Sequence, residues 1–261
     1  MGNKQRLNSL KFKIKHHFIF ILVICLTASA CEDVSWFGEE VSTENNNKKV
    51  EVTPNTEKKI DAPIEKSTLE YEIPSTDQLL NASVKIILEQ NNRILGSGSG
   101  VFISSNLIVT NEHVIQASIN RGVKIKVQCD DGSEYFAKLE KVNPDNDVAI
   151  IKINGSQSIF IPKIQSSLPN VMDEIIVIGS PLGEKNVTTT GQISKIVNDD
   201  SLLDETYLLM TAPISPGSSG GPVFNKSGEI IGITVAYREE AQNMNYAVPS
   251  KYIQRLLEGI K

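Results

Sequence analysis

Hydrophobic positions fall into three regimes along the chain. Residues 18–26 form one continuous apolar run, and residues 32–75 carry only scattered apolar positions with no sustained period of 2 or 3.6. From residue 79 the pattern changes to short alternating or wholly apolar runs at 84–89, 101–103, 107–110, 123–129, 135–142 and 148–153. It continues at 174–178, 187–197, 207–212, 229–237 and 245–248. Runs of this length, separated by Gly, Asn, Asp and Pro, predict strands, with Asn91-Asn92, Asp131-Gly132 and Ser227-Gly228 as tight turns. Helices do not alternate with them, so the expected class is all-β, a sandwich or a barrel, and not a parallel α/β sheet. Helical spacing occurs only at the ends of this region. Residues 75–81 form a short leading helix, and Ser250 caps a terminal helix over 250–260 whose Ile253, Leu256, Leu257 and Ile260 share one face.

The first regime has the order of an export signal. Lys11, Lys13 and Lys15 precede the apolar run, and Thr27-Ala28-Ser29-Ala30-Cys31 follows it, so residues 1–30 read as a signal peptide. Cys31 after three small residues resembles the bacterial lipobox, which implies a lipid on Cys31 and a membrane anchor. Ala28 stands where Leu is usual, and the same triplet suits ordinary signal peptidase, which would leave a soluble secreted protein. The expected site is outside the cytoplasm, facing the periplasm or the cell exterior. Residues 31–76 are rich in Glu, Lys, Asn, Thr and Pro and cannot bury enough apolar surface to fold. They are expected to be a tether, about 45 residues with a root-mean-square reach of roughly 35–40 Å.

Composition narrows the partners. The 261 residues are 40% hydrophobic and 22% charged, an ordinary globular balance. Removing residues 1–30 takes 26 basic residues to 21 against 31 acidic ones, near −10, which argues against binding to nucleic acid or anionic lipid through a basic surface. Cys25 leaves with the signal and a lipid would occupy Cys31, so the folded part keeps only Cys129, expected in a half-buried strand, and has no disulfide. His16 and His17 also leave, so His113 is the only imidazole of the remainder and a polyhistidine metal centre is excluded; no cofactor is expected.

The candidate chemistry gathers on three residues. Ser219 lies in Gly217-Ser218-Ser219-Gly220-Gly221-Pro222, where glycines let a hydroxyl and the neighbouring N–H groups face one spot. His113 follows the apolar run 107–110, and Asp147 leads the run 148–153, whereas Asp145 reads as a solvated turn acid. Gly96-Ser97-Gly98-Ser99-Gly100 is not a nucleotide loop, since it lacks that glycine spacing and runs into a strand instead of opening a helix.

In this order His113, Asp147 and Ser219 resemble the trypsin-like peptidase superfamily, in particular its bacterial HtrA/Deg-type branch. The resemblance covers residues 79–260 through Gly98-Ser99-Gly100-Val101, Thr110-Asn111-Glu112-His113-Val114, Asp147-Val148-Ala149-Ile150-Ile151, Ile178-Gly179-Ser180-Pro181-Leu182-Gly183, Gly191-Gln192-Ile193-Ser194, Ser215 to Pro222 and Gly228-Glu229-Ile230-Ile231-Gly232-Ile233. It implies a peptidase domain over 77–261: two six-stranded antiparallel β-barrels, about 77–158 and 159–248, split near 154–165, with a short C-terminal helix. It implies further that Ser219 attacks a peptide carbonyl, His113 moves the proton, Asp147 orients the imidazole, and the Gly217 and Ser219 N–H groups form an oxyanion hole.

The same resemblance assigns Thr234, Val235 and Ala236 to the edge that pairs with an extended polypeptide substrate. Pro213 stands where enzymes with a basic preference hold an acid, which argues for a small apolar pocket. A second histidine, used by glutamate-specific relatives, is absent after the signal. Ser218 replaces the aspartate or asparagine usual before the nucleophile, which argues against activation by N-terminal cleavage. With 12 residues after Pro249, no PDZ domain is expected. The implied activity is a tethered serine endopeptidase for exported or misfolded proteins; the alternative is a catalytically silent, peptide-holding protein of the same fold.

Overall fold

The computed structural model describes residues 73–119, 122–157, 159–199, 205–237 and 244–258. The expected signal, Cys31 and nearly all of the expected tether lie outside these residues. Twelve strands form: β1 (Ser83–Gln90), β2 (Arg93–Phe102), β3 (Leu107–Thr110), β4 (Lys124–Gln128), β5 (Glu134–Asn143), β6 (Val148–Ile153), β7 (Glu174–Gly179), β8 (Val187–Asp199), β9 (Glu205–Met210), β10 (Pro222–Asn225), β11 (Ile230–Tyr237) and β12 (Asn245–Pro249). They close into two antiparallel barrels, β1-β2-β3-β6-β5-β4 and β10-β11-β12-β9-β8-β7. This is the chymotrypsin-like arrangement.

Local chemistry explains the connections. Asn91 and Asn92 both sit at positive φ, 50° and 61°, and join Gln90 to its cross-strand partner Arg93. Two positive φ values give the hairpin turn whose twist matches the strands, and Asn tolerates them better than most side chains. Register shifts at Leu88/Glu89, Leu139/Lys141, Val223/Phe224 and Ile193/Lys195 bend the strands enough to close each barrel.

The apolar pattern divides into three cores. Ile86, Phe102, Ile108, Ile125, Val127 and Ile151 fill the first barrel, and Val177, Ile193, Leu208, Met210, Val223 and Ile231 fill the second. A third cluster, including Val101, Val109, Val148, Ile178, Phe224, Ile230 and Ile233, occupies the seam. Adjacent residues such as Ile108 and Val109, or Val223 and Phe224, thus serve different cores. Strands buried on both faces read as continuous hydrophobic runs, which accounts for residues 148–151 and 230–233.

Three helices pack around the barrels. α1 (Thr76–Ala82) starts with a capping box: Ser75 Oγ accepts the Gln78 N–H at 3.2 Å, and Gln78 Oε1 accepts the Ser75 N–H at 2.8 Å. α2 (Glu112–Ile119) departs from the expected pattern, which placed no helix there. α3 (Ser250–Leu257) lays Tyr252 and Ile253 on the seam, but its cap residue is Pro249 and not Ser250. The Ser250 hydroxyl donates instead to the Gln165 carbonyl at 2.7 Å, pinning the segment between the barrels. β10 likewise has no counterpart among the expected runs, because it is four residues long and begins on Pro222 directly after a turn.

Phe224 is fully buried at the seam. Replacing it with Ala leaves a large void, so Phe224→Ala is expected to lower unfolding stability by about 3–5 kcal/mol in urea denaturation. The exposed Phe136→Ala should change it by less than about 1 kcal/mol. Equal effects would contradict the assignment of the seam as a core.

Candidate active site

Three segments meet at the seam. β3 ends at Thr110, one residue of coil follows, and α2 opens at Glu112, so His113 occupies the first turn of that helix. Asp147 is presented from the opposite side by the β5–β6 turn. There Asn143 Oδ1 accepts the Asp145 N–H at 3.1 Å and the Asn146 N–H at 3.3 Å, an Asx turn that leads the chain into Asp147 at φ 53°. Asn111 Nδ2 then donates to the Asp147 carbonyl at 2.9 Å and holds this left-handed residue in place.

The Asp147 carboxylate is used at both oxygens. Oδ1 accepts the His113 backbone N–H at 2.9 Å, and Oδ2 lies 2.7 Å from His113 Nδ1. Fixing a carboxylate to both the backbone and the ring of one residue sets the ring angle and keeps the proton on Nδ1, leaving Nε2 free to accept one. Burial lowers the His113 pKa, but the charge and hydrogen bond of Asp147, with the charge of Glu112, outweigh it and hold the group above the ordinary histidine value. Asp145, two residues earlier, is exposed.

The turn bearing Ser219 is determined by where its carbonyls go. Pro216 O accepts the Leu182 N–H at 2.8 Å, and Gly217 O accepts the Ser99 hydroxyl at 2.8 Å. Ser218 O accepts the Gly221 N–H at 2.9 Å and the Thr234 hydroxyl, and Ser219 O accepts the Ser99 N–H at 2.8 Å. In a trans peptide the N–H points opposite to the preceding carbonyl. Anchoring Pro216 O and Ser218 O therefore turns the N–H groups of Gly217 and Ser219 the other way, and neither donates to any described residue. Gly217 is at φ 98°, and a Cβ there would meet Ser180 O at 2.6 Å. Gly220, at φ 83°, packs its Cα within a methyl's clash of Ser99 O and Thr110 Oγ1, seating the turn against the segment that leads to His113.

His113 and Asp147 are thus joined, while the Ser219 hydroxyl donates to the Val235 carbonyl at 3.3 Å. Thr234, expected at the substrate-pairing edge, is instead engaged: its N–H donates to the Gly221 carbonyl and its carbonyl accepts the Gly220 N–H, both at 2.8 Å, so the open edge among the described residues begins at Val235, at the register shift between Thr234 and Ala236. Thr234 itself is fully buried and turned toward the Ser218 carbonyl. The side chain of Ala236 lies outside the described ones. Pro213 lines a cavity of about 110 Å³ with Val177, Val187, Thr189, Ile214 and Ser218, and its carbonyl accepts the Thr189 hydroxyl at 2.9 Å. A larger open depression of about 530 Å³, lined by Glu174, Gln192 and Lys226 among others, contains none of the three candidate residues.

The segment carrying Leu182 is itself tied to the first barrel. Lys85 Nζ donates to the Gly183 carbonyl at 2.7 Å, Lys185 Nζ to the Cys129 carbonyl at 3.2 Å and to the Asp130 carbonyl, and Asn186 Nδ2 to the Leu80 carbonyl at 3.0 Å. Asn111 and Leu182 fall inside the motifs and Thr234 at the expected substrate edge, but the contacts they make, like these ties, are invisible to motif reading, because each acts through a main-chain partner far away in sequence. Cys129 is free and buried, and burial raises its thiol pKa, so it stays protonated and inert.

Comparison with known proteins agrees with this geometry. The family profile described as trypsin-like peptidase domain matches residues 98–233, slightly more than half of the chain. Serine protease HTRA3 of Rattus norvegicus is 35% identical over 172 residues, covering 62% of this chain and 37% of that protein. A Chlamydia trachomatis protein named "Probable periplasmic serine endoprotease DegP-like" is 33% identical over 169 residues, covering 62% and 33% respectively. The chain thus spans well under half the length of these relatives. Among solved structures, the serine endoprotease from Yersinia pestis superposes with a TM-score of 0.59 at 26% identity, over 72% of this chain and 67% of that one. On its fold, the arrangement around Ser219 and the match over residues 98–233, this chain belongs to the trypsin-like peptidase family.

Proposed function

We propose that the protein is a serine endopeptidase that cleaves exported or misfolded polypeptides through His113, Asp147 and Ser219. The observation that carries this reading is the turn at Ser219, whose carbonyls from Pro216 to Ser219 are all engaged while the Gly217 and Ser219 N–H groups have no acceptor among the described residues. A substrate strand adds to the open backbone of Val235 and Ala236, and Pro213 and its neighbours favour a small apolar side chain next to the scissile bond.

Catalysis begins when the Ser219 hydroxyl turns from the Val235 carbonyl toward His113 Nε2. Its oxygen attacks the substrate carbonyl, its proton passes to Nε2, and the carbonyl π electrons move onto oxygen, where the Gly217 and Ser219 N–H groups receive the negative charge. Each such donor is worth about 2.7–4 kcal/mol of barrier. Collapse breaks the C–N bond, and the imidazolium returns its proton to the leaving amine. Water then attacks the acyl-enzyme by the same route, giving the acid and restoring Ser219. Throughout, Asp147 holds the ring and stabilises its charged form.

The names of the DegP-like relatives agree with an exported protein. Anchoring through Cys31 would confine the domain to a membrane surface on its tether. Intact-mass analysis of the mature N-terminus should find a diacylglyceryl mass on Cys31; a free Cys31 would make the protein a secreted enzyme.

A fluorophosphonate probe should label the wild type and leave Ser219→Ala unlabelled, with proteolysis falling on the order of 10⁴–10⁶-fold. A wild type that is folded and unlabelled would instead favour the silent, peptide-holding alternative. Because His113 must be neutral to accept a proton, activity should be lost as pH falls through its raised pKa. The acid limb of kcat/KM should therefore lie above the ordinary histidine value of about 6.5, and a limb at or below pH 6 would contradict the Asp147-dominated shift.

A further inference from the structure

We propose that Ser99 is a positioning residue of the oxyanion site, its hydroxyl holding in one conformation the Pro216–Gly217 peptide, which carries the Gly217 N–H, and the Gly217–Ser218 peptide that leads from it to Ser219. The inference rests on the peptidase reading above and assigns a role to the Gly96-Ser97-Gly98-Ser99-Gly100 run. Ser99 belongs to β2 of the first barrel and is 1% exposed, while the groups it holds belong to the second.

The hydroxyl makes two hydrogen bonds whose directions are forced. Ser180 N–H can only donate, and reaches Ser99 Oγ at 2.8 Å; the single hydroxyl hydrogen is then given to the Gly217 carbonyl at 2.8 Å. Ser180 heads the single 3-10 turn Pro181–Gly183, whose Leu182 N–H anchors the Pro216 carbonyl. One oxygen therefore fixes both ends of the assembly: the Gly217–Ser218 peptide directly, and the Pro216–Gly217 peptide through Ser180 and Leu182. The other hydrogen bond on the middle peptide among the described residues is from the Ser218 N–H, which donates to the Ser215 carbonyl at 2.9 Å.

Gly217 is where such an assembly would fail. With no Cβ and φ at 98°, it is the residue of the turn whose dihedrals can change most freely. Without the Ser99 hydroxyl, its carbonyl and the fully buried Ser180 N–H both lose their partners, and rotation at Gly217 can bring the Pro216 carbonyl to the place its own N–H occupies. That would set an acceptor where the developing oxyanion needs a donor. The main-chain bond from Ser99 N–H to Ser219 O and the Thr110 hydroxyl bond to Ser99 O, 2.8 and 2.7 Å, do not involve the hydroxyl. Ser99→Ala therefore removes one atom and spares the strand, the nucleophile's carbonyl clamp and the His113–Asp147 pair.

The test compares wild type, Ser99→Ala and Ser99→Cys, a near-isosteric weak donor, as full chains. Intact mass after exhaustive fluorophosphonate reaction counts reactive Ser219, and hydrolysis of a Val-p-nitroanilide peptide and of fluorescein-labelled casein is expressed per reactive serine. Both variants should lose at least tenfold in kcat, with KM within threefold and the acid limb of the pH profile unmoved. A kcat loss below tenfold in a folded variant overturns the proposal, as does a loss confined to KM, to the acid limb or to the fraction of labelled protein. The last includes failure to fold, which would make Ser99 a structural residue only. A wild type that neither labels nor cleaves sinks the peptidase reading and this proposal together, whereas an active wild type with active variants sinks this proposal alone.

Discussion

Leaving two backbone N–H groups without a partner beside Ser219 is the constraint on which the rest of the site depends. Gly217 and Ser219 are part-buried, and a turn whose N–H groups have no protein partner could rotate to give them one unless something else held its peptides. The opposite ends of those peptides do so. Leu182, Ser99, Gly221 and Thr234 take the four carbonyls from Pro216 to Ser219. Three of these donors belong to the second barrel and its loops, and Ser99 to the first, so the conformation exists only where the barrels touch. Pre-organisation of this kind is effective because the N–H groups need no reorientation when charge appears.

The His113–Asp147 pair is built by a different device. Here a side chain is held by satisfying it fully: Asp147 gives one oxygen to the His113 backbone and the other to its ring, and Asn111 fixes the Asp147 main chain. The left-handed conformation of Asp147 is a local cost, of order 1–3 kcal/mol for a non-glycine residue at a constrained site, offset by those three bonds and by the Asx turn before it. The resulting contrast is chemical. The Ser219 turn is held through its engaged carbonyls, the His113 ring through its charged partner.

Much of the fold was legible because burial writes itself into the chain. The alternation along β4 and the two-faced runs of β6 and β11 distinguish strands that face solvent from strands at the seam. What escaped had a physical reason in each case. α2 spans eight residues, and its Glu112-His113-Val114-Ile115 opening mixes β-branched and polar residues as a strand end would. β10 is too short for a period to show. Ser250 has the chemistry of a cap but spends its hydroxyl on Gln165, a tertiary competitor that sequence cannot reveal. Within the site, residue types with intrinsic chemistry were readable, whereas Leu182 and Asn111 were not, since the former contributes only an amide and the latter only a contact made 36 positions away.

The seam core has one more consequence, for how the chain acquires its structure. Val101, Val109 and Val148 on one barrel and Ile178, Phe224 and Ile233 on the other are buried in one shared cluster, together with Phe160 and Ile164 of the segment between the barrels and residues of the flanking helices. Neither half alone can hide that face, so a nascent first barrel would present a sticky wall until its partner arrived. The turn at Ser219 is held by groups from both barrels, so its geometry requires both to be in place. A chain caught midway lacks the assembled turn at Ser219, whose anchor Ser99 lies on the other barrel.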